Sequence, residues 1–409
     1  MKTWSRRLHC FNPENETAVG AGTANYTPNA TARRMAEDLE ILPIWYASDG
    51  DAVWTTDSKG ANQFLDSLPL FLRPNVRLLT ADALCHMPAD PDGPLLATPW
   101  GLSPHVLARF DRLRQRGAPL SIPVWSDDLR ALTHRQTAAR CLGEVLRRMP
   151  ELPDIEPPTF CTGLADITDY MARRRPPFLL KTPFSCSGRG LLHMDGDAMS
   201  AQQQQWIAGA LRRWGTVSIE RRLDKTSDFA LEFYSDGRGR IAYTDLSIFD
   251  TQPRGAFSRA RLGSPDRLRS HLPDMLRGPL FDRLRVAVSE VLSAVIGCTY
   301  SGFLGVDMLT YRLPGGAEAV HPFIELNLRY TMGLVAASLS RRLVHPDAAG
   351  WLTIARSSQP GSALRDHQSD ALRLPACYAD GRLRSGYLSL TPVTSATCFR
   401  AFVEVEEHS

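Results

Sequence analysis

Short apolar runs alternate with helical stretches through the first third of the chain. Residues 8–11 read as a strand that ends in the polar turn Asn12-Pro13-Glu14-Asn15-Glu16. Thr27-Pro28 joins a capping residue to a proline at the first turn, which predicts a helix through residue 39. Residues 41–46, 76–80 and 95–98 read as further strands, and 104–116 as a helix. This strand-helix-strand rhythm predicts a parallel, doubly wound sheet. A helical pattern over 127–148, then the proline-rich run Glu151-Leu152-Pro153-Asp154-Ile155-Glu156-Pro157-Pro158, marks a boundary.

Beyond the boundary the pattern is strand-rich, with helices between strands. Residues 177–181 and 191–194 flank a loop of small residues, and 202–214 read as a helix. Residues 217–223, 229–235 and 240–248 read as antiparallel strands, joined partly by the turn Asp236-Gly237-Arg238-Gly239. A helical region over 265–296 precedes a hairpin around Pro314-Gly315-Gly316, and 383–390 and 399–405 add two late strands. The fold class is therefore α/β followed by α+β.

Composition narrows the function classes. With 409 residues, 43% hydrophobic and 22% charged, the chain is that of a soluble globular protein of two or three domains, which excludes disorder. Lys+Arg 47 against Asp+Glu 44 gives +3 without long blocks of one sign, so nothing points to a nucleic-acid or membrane partner. The eight cysteines form no CxxC and no zinc-type spacing, and are expected to be free thiols. No run approaches the ~18 apolar residues of a membrane span, and the first residues lead into a polar segment, so a cytoplasmic protein is expected. Only Lys2, Lys59, Lys181 and Lys225 are lysines; every other basic residue is arginine.

Three segments carry candidate chemistry. In Phe323-Ile324-Glu325-Leu326-Asn327-Leu328-Arg329, alternation puts Ile324, Leu326 and Leu328 on one strand face and Glu325, Asn327 and Arg329 on the other. A three-residue loop centred on Gly315 places Asp307 opposite Phe323, on the polar face with Glu325 and Asn327. Diagonal neighbours lie about 7–8 Å apart, near enough for oxygens to converge on one cation. Two carboxylates and an amide suit magnesium, which completes its shell with water and phosphates. An amphipathic hairpin with a solvated polar face explains the same pattern without a ligand.

In Phe178-Leu179-Leu180-Lys181-Thr182-Pro183-Phe184-Ser185-Cys186-Ser187-Gly188-Arg189-Gly190, an apolar strand ends in a lysine and a loop follows. Backbone N–H groups of such a loop approach phosphates closely, and the lysine adds a point charge. A plain hairpin turn is the alternative. In the third segment, 217–229, a flat heterocycle fits against Leu223, with the backbone of 220–223 reading its edge and Asp228 holding ribose hydroxyls. Polar residues between two strands also need no function.

The order and spacing of these segments resemble the ATP-grasp superfamily over residues 125–340. The resemblance implies an N-terminal Rossmann-like preATP-grasp domain (1–125) and a two-lobed ATP-grasp region (126–345, lobes 155–220 and 221–345). Residues 346–409 are expected as an extension packing on the ATP-grasp lobe. Lys181 would contact nucleotide phosphates, with Ser185, Ser187, Gly188, Arg189 and Gly190 closing over them. Glu220 and the backbone through Leu223 would hold adenine, and Asp228 the ribose. Asp307, Glu325 and Asn327 would bind Mg²⁺, and Arg329 would face the transferring phosphate or acyl group. Two departures stand out. The loop has only two glycines, and the upstream position that often carries a second phosphate-binding lysine reads Thr133-His134-Arg135-Gln136, where Arg135 is the substitute.

The activity implied is ATP-dependent carboxylate-amine ligation through an acylphosphate, on a small-molecule or peptide substrate, in a chain that is allowed to dimerise with itself. A kinase acting on a hydroxyl, or a nucleotide-binding regulator without turnover, are the alternatives. Asn12, Glu14, Asn15 and Glu16, beyond the first strand, are placed to meet an amine-bearing substrate, or else form a solvated turn and helix cap. Arg254 and Arg259 are placed to clamp a carboxylate, or lie on the surface.

Overall fold

Residues 6–88, 91–185, 188, 190–253 and 255–407 are described by a computed structural model. Cys186, Ser187, Arg189 and Arg254 lie outside the described residues. The chain divides into two units: Met1–Ser126 with Ser258–Leu268 and Arg329–Ser409, and Asp127–Phe257 with Arg269–Leu328.

The first unit is built on a parallel sheet in the order Arg77–Leu79, Ala52–Trp54, Arg7–Cys10, Leu95–Pro99, Leu120–Ser121. Its central strands are largely buried, with Leu8, Ala52, Leu95 and Ala97 packed against Val106 and Phe110 of the helix Pro104–Gln115. That helix starts as its sequence dictates, with the Ser103 hydroxyl capping it and Pro104 in its first turn.

The same unit holds a run of antiparallel strands. Phe257–Leu262 pairs with Ala348–Arg356, which pairs with Phe399–Glu407, and this with Arg382–Ser389. Residues 346–409 cluster with the N-terminal residues. The reason is a set of buried polar ties. Asp38 accepts from the backbone N–H groups of Cys398 and Phe399, at 2.8 and 2.9 Å, and the Trp45 indole donates to the Leu390 carbonyl at 2.7 Å.

Within the second unit, a four-stranded antiparallel sheet runs in the order Thr159–Cys161, Val217–Arg221, Phe178–Lys181, Leu191–Met194. The helices Leu164–Ala172 and Ala201–Trp214 cover it through Ile167, Tyr170, Ile207 and Ala210. The second helix begins at a reciprocal cap, Ser200 and Gln203 each bonding the other's backbone N–H. The remaining strands run Glu318–Asn327, Ser301–Arg312, Asp224–Asp236, Ile241–Thr251, all antiparallel. Helices Arg135–Arg148 and Pro279–Ile296 pack on them.

Several expected elements are corrected. Residues 41–46 form a 3₁₀ turn, Leu42–Trp45, because Pro43 has no N–H to give a sheet ladder. The helix over 127–148 breaks at His134, which is extended and caps the second part. The region 265–296 is three helices, interrupted by Pro273 and by Gly278-Pro279. The helix expected from Thr27 starts at Ala30, capped by Asn29.

Replacing Asp38 with alanine leaves the N–H groups of Cys398 and Phe399 without their acceptor. Asp38→Ala is expected to destabilise the protein by about 2–3 kcal/mol, read by urea unfolding.

Candidate functional site

Lys181 ends its strand with a side chain only 7% exposed. On the neighbouring strand Leu179 faces Glu220 and Lys181 faces Ser218, so the pleat puts Lys181, Ser218 and Glu220 on one face. There the Lys181 ammonium meets the Glu220 carboxylate at 2.5 Å. Glu220, expected at adenine, is the counterion of Lys181.

The loop after Lys181 is anchored at its root. Thr182, Phe184 and Ser185 are buried, and Thr182 donates its N–H to the Gly190 carbonyl at 2.9 Å. Gly190 is required here, since a Cβ would lie 2.1 Å from Thr182 Oγ1 and 2.5 Å from Ser185 Cβ. Gly188 takes the left-handed region, φ 70°.

Arg135 connects this loop to Glu325. Its Nε donates to the Thr182 carbonyl, and one terminal nitrogen donates to both Ser185 Oγ and Glu325 Oε1, each at 3.0 Å. Its own backbone N–H reaches the Pro183 carbonyl. Four bonds thus hold the first residue of the Arg135–Arg148 helix between the loop root and Glu325.

The hairpin register differs from expectation. Asp307 lies opposite Glu325 rather than Phe323, because an irregularity between Asp307 and Leu309 shifts the pairing by two residues. A shift of two preserves the face, so Asp307 and Glu325 still share it, with Asn327 opposite Gly305. Among the described residues no three His, Cys, Asp or Glu side chains gather as a metal-holding group. The donor set of Asp307, Glu325 and the Asn327 amide nonetheless fits a small hard dication that takes its other ligands from water and phosphate.

His321 is a cleft residue that none of the sequence motifs includes. It stands on the Glu325 strand and lines a cleft with Arg135, Phe160, Lys181, Ser218, Glu220, Phe323 and Ile324. Burial, with the Lys181 charge adding to it, pushes its pKa down to about 3, so the ring is neutral at physiological pH. A lone histidine in an apolar run carries no sequence signal for this.

Other expected residues are placed differently. Asp228 accepts from Lys225 at 2.5 Å and from Thr251 at 2.9 Å, and Leu223 is half-buried in the connection before Asp224–Asp236. The Arg259 guanidinium lies 3.9 Å over the Trp351 ring. Arg329 falls in the first unit, where its Nε donates to Glu16. Asn12, Glu14, Asn15 and Glu16 are all buried, which overturns the solvated turn. No helix among the described residues is long and apolar enough to cross a membrane.

In sequence, neither a protein-family model nor a curated protein matches the chain. In three dimensions, solved structures match along its whole length, and the chain has the ATP-grasp fold with a preATP-grasp domain. One is N5-carboxyaminoimidazole synthetase from Staphylococcus aureus, complexed with ADP: TM-score 0.50, 10% identity, 100% of this chain and 95% of that chain covered. A second is the biotin carboxylase complex with β-γ-ATP from Campylobacter jejuni: TM-score 0.53, 12% identity, 98% and 87% covered. A third is the biotin carboxylase domain dimer of the Hydrogenobacter thermophilus 2-oxoglutarate carboxylase, with MgADP, ADP and bicarbonate: TM-score 0.50, 11% identity, 98% and 87% covered.

Because the folded pKa of His321 lies below its ordinary value of 6.5, the unfolded chain binds more protons below pH 6.5. Its contribution therefore makes stability fall as pH drops from about 6.5 toward 3, by up to about 1.4 kcal/mol per unit. His321→Gln is expected to flatten that acid limb, measured by denaturant unfolding between pH 7 and 4.5.

Proposed function

We propose that the protein is an ATP-dependent ligase that activates a substrate carboxylate as an acylphosphate and joins it to an amine, releasing ADP and phosphate. The observation that carries this reading is that Arg135 and Lys181 line one cleft, with Glu325 bonded to Arg135 and Asp307 directly opposite Glu325. Two cations beside a carboxylate pair form a place for a metal-bound polyphosphate. The ADP and ATP complexes among the structures of like fold support it.

Lys181 and Arg135 bind the phosphates and neutralise charge that spreads over the transferring group. Arg135 takes the place of the second lysine. The loop from Ser185 to Gly190 covers the phosphates and excludes water, so the acylphosphate meets the amine rather than hydrolysis. Glu220, released from Lys181 by the phosphates, turns to the adenine with the backbone through Leu223, and Asp228 serves the ribose. Asp307, Glu325 and Asn327 would hold Mg²⁺, which would supply positive charge to offset that of the phosphates. Arg329 is assigned to the substrate acid. In the overall reaction a carboxylate oxygen attacks the γ-phosphorus and ADP leaves. The amine nitrogen then attacks the acyl carbon, phosphate leaves, and the nitrogen loses a proton. A homodimer is proposed on the likeness to the Hydrogenobacter domain dimer, and a small molecule or a peptide as substrate.

ADP and phosphate release should require both an acid and an amine. Screening amino acids, polyamines and peptides in pairs tests this, and release indifferent to every pair overturns it. By calorimetry, Lys181→Ala is expected to weaken ATP binding about 10–100-fold, the equivalent of losing a charge-assisted bond of roughly 1.5–3 kcal/mol.

Arg135 adds a second expectation. Without nucleotide its guanidinium occupies Glu325, and phosphates compete for the same guanidinium, so ATP and metal should bind cooperatively. Arg135→Gln is expected to tighten nucleotide-free Mn²⁺ binding by about tenfold, ~1.4 kcal/mol, while weakening ATP. Electron paramagnetic resonance titration of free Mn²⁺ reads the first effect.

A further inference from the structure

The loop after Lys181 starts with a residue out of keeping with the rest of it. Thr182, Ser185, Cys186, Ser187, Gly188 and Gly190 are small, whereas Phe184 is a large apolar side chain. A loop whose backbone approaches a phosphate gains from small residues, so the phenylalanine calls for a separate reason. Phe184 is 7% exposed and is not among the described residues that line the cleft. Its side chain therefore packs on protein rather than on a ligand.

The ring sits in a clamp drawn from separate elements of the second unit. The His134 ring meets it edge to face, with centroids 5.3 Å apart at 87°, and the Trp214 ring, at the end of the helix Ala201–Trp214, lies 5.6 Å away. Phe160, on the strand Thr159–Cys161, stands 5.8 Å from His134, and the Arg130 guanidinium lies 5.6 Å over the Phe184 ring. Aromatic pairs and a cation over a ring have preferred geometries. The clamp thus fixes where the ring lies as well as burying it.

What the ring carries with it is the set of atoms that Arg135 binds. The Thr182 and Pro183 carbonyls precede Phe184 and Ser185 Oγ follows it, and Arg135 reaches the three with its Nε, its backbone N–H and a terminal nitrogen, at 3.0, 3.3 and 3.0 Å. Thr182 Oγ1 also donates to the Phe184 carbonyl at 3.4 Å. His134 closes the circuit from the helix side. It caps the helix that Arg135 begins, its Nδ1 accepting from the Gln136 N–H at 3.1 Å. One residue of this junction touches the ring, and the next holds the atoms on both sides of it. We propose that Phe184 is a positioning residue for phosphate binding that acts through Arg135, its clamped ring setting the guanidinium where a polyphosphate meets it. The phosphate role of Arg135 rests on the ligase reading above; the clamp stands on packing alone. A ring that served only as core would change the stability of the protein and leave the ATP affinity of the folded state as it is.

The test is a double-mutant cycle read by calorimetry of Mg-ATP binding to the full-length protein, at a temperature where urea unfolding shows each variant folded. Phe184→Leu keeps an apolar side chain without the ring, and is expected to weaken ATP about tenfold, the equivalent of ~1.4 kcal/mol. In the Arg135→Gln background the same change should cost less than about twofold, since a residue acting through Arg135 has nothing left to act on. Trp214→Leu removes the opposite wall of the clamp and serves if Phe184→Leu does not fold. It should weaken ATP several-fold, again only where Arg135 is present. The proposal is overturned if the folded clamp variants bind ATP as the wild type does, or if their losses are as large beside Arg135→Gln. A loss from Arg135→Gln with none from the clamp variants removes this proposal alone. ATP binding that Arg135→Gln leaves intact, or wild-type protein that binds no ATP, removes the reading of the cleft and the proposal with it.

Discussion

Two carboxylates held opposite one another on a strand pair repel unless positive charge stands between or beside them. Asp307 and Glu325 impose that constraint on the second unit, and the guanidinium of Arg135 answers it for Glu325. Because the same guanidinium also bonds Thr182 and Ser185, the charge balance of the carboxylate pair is tied to the position of the loop after Lys181. Lys181 in turn is balanced by Glu220. The cleft is thus assembled from pairs in which Lys181 and Arg135 each already have an anion, so a polyanion entering it would exchange partners rather than fill an uncharged cavity. Such an exchange limits the desolvation penalty, since no charge is left buried alone at either end of it.

Much of this is legible in the residues themselves. The alternation around Glu325 fixes which side chains share a face, and Lys181 at the end of an apolar run fixes the strand edge where the loop begins. The parallel sheet follows from the rhythm of short apolar runs. What escapes is long-range. The irregularity between Asp307 and Leu309 has no local signature, and the face survives only because the shift is even. Pro43 and Pro279 stand inside runs whose apolar or helical pattern continues across them, but Pro43 cannot give a sheet ladder its N–H, and Pro279 opens a new helix where it cannot continue the one before. The bonds of Arg135 to Glu325, 190 residues apart, and the burial of Glu16 against Arg329, 313 residues apart, depend on closure of the whole fold. His321 illustrates the same limit, because its neutrality comes from packing and from Lys181 on another strand.

Fold similarity without sequence similarity has a physical reading here. Chains of 10–12% identity share the architecture because it asks only for layered apolar faces and a few turns, which many sequences meet. The chemistry-bearing positions are fewer and stricter. In this chain one of them is the arginine Arg135, and an arginine differs from a lysine in offering a planar fork of donors. Arg135 uses that fork to reach a carbonyl, a hydroxyl and a carboxylate together, a set of contacts that the single nitrogen of a lysine is poorly shaped to make.

The first unit is discontinuous, built from three separated stretches of chain, while the second lies wholly between residues 127 and 328. Domains acquire structure as they leave the ribosome, beginning from the amino end. In this protein that order is inverted for the first unit. Its parallel sheet emerges early, but the amides that Asp38 binds belong to Cys398 and Phe399, and the carbonyl that Trp45 meets belongs to Leu390. The second unit is complete in sequence before those residues are made, so the nascent chain carries all of the second unit while the first still waits for its last strands.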